Sequence, residues 1–215
     1  MSTPEAVSAG LGWFGKIPAL GDFVGRGLPP SLIGPWDAWL SAELSESRRL
    51  LAQRWAEAYA QAPALGFLLG ATVIDGQGWQ GILLPSRDRV GREFPLTIAQ
   101  CRPAPNATSP GAARAAPGLE WWDGLLSVGQ QVLEQCRTAD GVDELLAGFV
   151  SRQPTNPSAA ESAQNDNTVP RALVDPDQSA WRSLTAQHSP MPTWAVFEGL
   201  PHGALLRRLL GFALD

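Results

Sequence analysis

Lysine is almost missing from this chain: of its 16 basic residues only Lys16 is not arginine, and 21 acidic residues leave a formal charge of −5. A protein so balanced has no chain-wide attraction for nucleic acid or for an anionic membrane, because both demand a positive face. Cysteine is scarce as well. Cys101 and Cys136 have neither the spacing of a zinc site nor the number of a secreted disulfide framework, and they read as free thiols in a reducing compartment. The histidines, His188 and His202, are equally scattered, so no metal and no cofactor is expected. No apolar run approaches the ~20 residues needed to span a bilayer. The opening "MSTPEAVSAG" lacks a basic segment followed by an apolar one. A soluble cytoplasmic protein without membrane insertion is the expectation.

What is present is enough to fold. With 44% hydrophobic residues in 215, one domain over 1–215 can bury a substantial core. "LGWFGKIP" reads as an early strand closed by Pro18, and "ALGDFVGRGLPP" as a shaped loop too rich in glycine and proline for helix or strand. From Pro35, Trp36, Trp39, Leu40 and Leu44 lie on one helical stripe, with Asp37 just off it. A second helix is expected over 47–61, with an interruption near Ser45. "LGFLLGATVID" and "GWQGILLPS" read as antiparallel strands reversed at "DGQG", followed by a third strand, "FPLTIAQC". Residues 102–118 look like an exposed connection and 151–179 like a polar, irregular segment. Helices over "LEWWDGLLSVGQQVLEQCRT" and 142–150, a late strand in "TWAVFEGLP" and a closing helix complete the chain.

Candidate chemistry thins out under inspection. "GLGWFGK" contains G-x-x-x-x-G-K, but Ile17 and Pro18 stand where a phosphate-binding loop needs a Ser or Thr and a helix. No G-x-S-x-G elbow surrounds any serine, and no catalytic residue is assigned. What remains is charge in two glycine-bearing loops, "DFVGRGLP" and "DRVGREFP", each with an aspartate and an arginine four residues later. Lys16, Asp22, Arg26, Asp37, Asp88, Arg89 and Arg92 form this set. One reading is a preorganised ionic surface for a protein partner, a phosphate or a phosphoprotein, or a weak hydrolase with Asp22 or Asp88 as acid or base, because arginine forks suit anions. The other is internal: Asp22 and Asp88 cap loop amides or pair with Arg26 and Arg92, shaping the loops. Either way the loops are expected to meet beside Trp36 and Asp37. Most of the nine tryptophans read as core, with Trp36 and Trp39 as candidates for an interface, where tryptophan and arginine are enriched.

Several of these segments resemble one family. "GWFGKIPALGDFVGRGLP", "PWDAWL", "GILLPSRDRVGREFPLTIA", the "WRS" at Trp181 and the "GLP" at Gly199 are similar to the TagF (ImpM) family of accessory proteins of the bacterial type VI secretion system. The resemblance runs from Gly12 to the last helix. It implies a cytoplasmic, non-enzymatic regulator that represses secretion-system assembly after translation through a forkhead-associated scaffold protein, opposing a threonine kinase pathway. It carries over no catalytic residue. Its signature positions fall here on Lys16, Gly21, Asp22, Phe23, Arg26, Trp36, Asp37, Trp39, Asp88, Arg89, Gly91, Arg92 and Pro95. The implied fold is a three-layer α/β/α sandwich around a mainly antiparallel sheet, longin-like, which matches the five strands read from the sequence.

Overall fold

A computed structural model of the chain describes residues 10–102, 117–153, 175–185 and 194–212. Most of the expected 102–118 connection and of the 151–179 irregular segment lies outside the described residues. The fold is mixed α+β, built on one open antiparallel sheet in the order β2-β1-β5-β4-β3-β6-β7. Its strands are β1 (Gly12–Gly15), β2 (Val24–Arg26), β3 (Leu65–Leu69), β4 (Trp79–Leu84), β5 (Leu96–Cys101), β6 (Gln178–Ser183) and β7 (Ala195–Glu198). Among the described residues the sheet has seven strands rather than about five. The two additions are β2, inside the stretch read as loop, and β6, at the end of the stretch read as irregular. Residues Val24–Arg26 form a strand despite their glycine because β1 offers an antiparallel edge, pairing Trp13 with Arg26 and Gly15 with Val24.

The central strands read as near-continuous apolar runs because both of their faces are buried. Leu65, Phe67 and Leu69 of β3, with Trp79 and Leu83 of β4, enter one core cluster, while Leu68, Ile82 and Leu84 enter another. Alternate side chains of a strand point to opposite faces, so the two clusters occupy the two sides of the sheet. Helices α1 (Pro30–Leu51), α2 (Trp55–Ala60) and α5 (Ala204–Leu209) contribute to the first cluster. Helices α3 (Leu119–Gln135) and α4 (Ala139–Ser151) contribute to the second.

Helix α1 departs from expectation at both ends. It starts at Pro30 rather than Pro35, since a proline in the first turn forfeits only an N–H that has no helical acceptor there. Pro35 sits inside the helix on its exposed side. There is also no interruption at Ser45: Leu40, Leu44, Ser47 and Leu51 keep one buried face, and that packing outweighs the serine-rich local sequence. The break comes at Ala52, with φ of +47° and ψ of −113°, where a 3₁₀ turn, Ala52–Arg54, redirects the chain into α2. A non-glycine residue is strained there. Ala52→Gly is therefore expected to stabilise the protein by about 1 kcal/mol, read as a rise in the urea midpoint at unchanged slope.

Candidate functional site

The site is built where β1 and β5 run side by side and each hands over to a loop. Gly15 ends β1 with φ of +138°, and an added Cβ would stand 2.1 Å from the Pro95 carbonyl oxygen. Only glycine fits that approach, and it delivers Lys16 into the gap between the loops. The second loop folds back on itself: Asp88 N donates to the Arg92 carbonyl at 3.1 Å, Gly91 N to the Asp88 carbonyl at 2.9 Å, and Phe94 N to the Ser86 carbonyl at 3.1 Å. Gly91, with φ of +85°, allows the reversal.

Asp88 is the centre of this construction. Its side chain is 0% exposed and that of Lys16 7%, with Lys16 Nζ 3.1 Å from Asp88 Oδ2. The same oxygen accepts from Arg92 Nε at 2.6 Å, while Oδ1 accepts from Val90 N at 3.0 Å and Arg92 N at 2.9 Å. Burial pushes the Asp88 carboxyl up, but the Arg92 amide, the Arg92 guanidinium and the Lys16 ammonium outweigh it and hold the group well below the usual carboxylate range. The carboxylate is ionised at neutral pH and its lone pairs are taken. Such a group braces backbone and is a poor proton acceptor at neutral pH.

Contacts across the gap tie the loops together. Arg92 Nη2 donates to the Gly21 carbonyl at 2.6 Å and Arg89 N to the Leu20 carbonyl at 2.8 Å. Ser86 Oγ donates to the Lys16 carbonyl at 2.6 Å. From below, Tyr59 of α2 donates to the Ser86 carbonyl at 3.1 Å and accepts from Ser86 N at 3.2 Å. Burial raises the Tyr59 hydroxyl above its ordinary range, so it stays a donor. Phe23 lies on this brace, stacked on Phe14 at 5.8 Å, edge-on to Phe94 at 4.7 Å and 4.8 Å beneath Lys16 Nζ.

The structure therefore gathers Lys16, Asp88, Arg89 and Arg92 with Asp22 beside them, and disperses the rest. The pairing of Asp22 with Arg26 is not formed: Asp22 caps the Phe23 amide at 2.8 Å, and Arg26 Nη1 reaches Asp140 at 2.6 Å and Asp143 at 2.7 Å on α4. Register explains it. Arg26 stands opposite Trp13, whose Nε1 also donates to Asp143, so both side chains face the same helix. Trp36 and Trp39 are buried with Phe67 and Trp181, their indoles donating to Thr97 Oγ1 at 2.8 Å and the Pro201 carbonyl at 3.0 Å. They present no surface to a partner. Asp37 accepts from Ser41 Oγ at 3.4 Å along α1 and forms no ion pair with the brace residues. Val90, Tyr59 and Phe94 were not among the site residues expected from the sequence; only the aromatic of "REFP" hinted at the last. Among the described residues no three His, Cys, Asp or Glu gather as a metal site, and no helix is long and apolar enough to cross a membrane.

Fold and site together define an α+β protein whose most elaborate polar construction serves to fix two loops against each other. The family model of the TagF N-terminal domain, type VI secretion system-associated, matches residues 12–149, which include both loops and every residue of the brace. The chain belongs to the TagF family. It is also similar to the crystal structure of PA0076 from Pseudomonas aeruginosa PAO1, at 27% identity and a TM-score of 0.70, over 95% of this chain and 96% of that one. No curated protein matches it.

Proposed function

We propose that the protein is a cytoplasmic, non-enzymatic regulator that represses type VI secretion-system assembly after translation by binding a forkhead-associated scaffold protein. Membership of a type VI secretion-associated family carries this reading. The site chemistry supports binding over turnover. A carboxylate engaged by four donors, as Asp88 is, has no free lone pair for a reacting proton. The residues around it are placed to hold shape.

The experiment is direct. The purified chain and the purified scaffold of the same secretion system are mixed and resolved by size exclusion, and assembled secretion sheaths are counted in cells that overproduce the chain. A stable complex and a loss of sheaths are expected. Overproduction that leaves sheath number unchanged, or two proteins that elute apart, would overturn the reading.

A further inference from the structure

We propose that the outer face of the two-loop junction, made by Phe23, Arg87, Arg89, Val90 and Arg92, docks an acidic protein segment anchored by an apolar side chain. The inference rests on the binding reading above and adds where the partner sits and what chemistry it brings.

Apolar exposure is the first observation. Among the described residues the exposed large hydrophobic side chains are Phe23, Leu50, Val90, Val150 and Val196, and two of these stand on the joined loops. Phe23 is 42% exposed and Val90 69%. Phe23 is nevertheless held by two rings and an ammonium group, and the Val90 amide is bonded to the buried Asp88. An apolar group that is both exposed and immobilised loses little conformational freedom when a partner covers it.

Charge is the second. Two of the nearby carboxylates are paired with cations, Asp88 with Lys16 and Arg92 and Glu93 with Arg48, while the exposed Asp22 caps the Phe23 amide and keeps its charge. Arg87 and Arg89 are exposed, and neither side chain enters an ion pair among the described residues. Counting formal charges at the junction, five cations (Lys16, Arg48, Arg87, Arg89, Arg92) face three carboxylates (Asp22, Asp88, Glu93), a local excess of two positive charges on a chain whose formal charge is −5. Guanidinium forks beside an aromatic ring and an exposed valine match carboxylates flanking an apolar residue. The occupant is therefore an acidic segment of the scaffold protein, seated on loops that need no rearrangement to receive it.

The test is calorimetric titration of the purified, unphosphorylated scaffold into the full chain at low and high salt. Wild type is expected to bind, and to bind more weakly at high salt. The double variant R89E/V90D should lose about tenfold or more in affinity while keeping its wild-type circular dichroism and thermal midpoint. Arg87→Glu, on the same face, gives an independent variant should the double one fold poorly, and it should weaken binding in the same direction. Val150→Asp, on α4, should bind as wild type. Folded R89E/V90D or Arg87→Glu with wild-type affinity would overturn this surface and leave the scaffold reading standing. An equal loss in Val150→Asp would also overturn it, and binding that requires a phosphorylated scaffold would replace the carboxylate chemistry with phosphate. A wild-type chain that does not bind the scaffold removes the reading on which the surface rests, and the assignment falls with it.

Discussion

Replacing Asp88 with alanine is expected to destabilise the protein by about 3–5 kcal/mol, the range for removing one partner of a buried ion pair. Lys16, at 6% exposure, would keep its charge with no carboxylate to balance it. The Val90 and Arg92 amides would lose their acceptor in the same step. Urea denaturation at neutral pH measures the loss. Pairing Asp88→Ala with Lys16→Met should recover part of it, because an apolar group tolerates that site better than an unpaired ammonium. A second signature lies in acid. The folded carboxyl sits below its ordinary value, so the unfolded chain takes up the proton first. The stabilisation is complete above about pH 4 and drains away as pH falls below that value. Asp88→Asn, which cannot ionise, should show a flatter decline over that acid range, measured as urea midpoints from pH 6 downward. A variant whose acid slope matched wild type would remove Asp88 from this role.

Trp36→Ala is expected to cost a comparable amount, about 3–5 kcal/mol, through lost packing. Its ring is 2% exposed and lies 4.9 Å from both Trp39 and Phe67, with Trp181 stacked at 6.0 Å. Truncation leaves a void on one side of the sheet and strips the buried Thr97 hydroxyl of its indole partner. Trp36→Phe keeps most of the volume and loses the hydrogen bond, so its penalty should be smaller. Low-temperature affinity of whatever Trp36→Ala remains folded should equal wild type. A selective loss of affinity at full stability would instead place this indole at a contact surface.

The two tryptophans illustrate how far the sequence can be read. Their helical spacing made a buried stripe legible, yet nothing local told an interface stripe from a core stripe. That was decided by Trp181, which meets them from a strand far along the chain. Asp88 and Arg92 were legible as a pair because they lie four positions apart with a glycine between them. Lys16 joins them only because β1 and β5 are neighbours in the sheet, and sheet order is a non-local property. Arg26 was misdirected for the converse reason. Proximity in sequence favoured Asp22, whereas strand pairing turned its side chain towards α4. Strand β6, "QSAWRS", has no legible period because Gln178, Ser179, Arg182 and Ser183 flank and dilute the apolar signal that Ala180 and Trp181 carry.

Strand β2 has only three residues, lies at one end of the sheet and is held to α4 through Arg26. Open sheet edges invite strands from neighbouring molecules, and the invitation grows with the number of unpaired amides in register. Three residues offer too few for a foreign strand to zip onto, and a guanidinium anchored across them adds a charge that such a strand would have to displace. The shortest strand among the described residues thus gives that end of the sheet little template on which a second copy of the chain could add a strand.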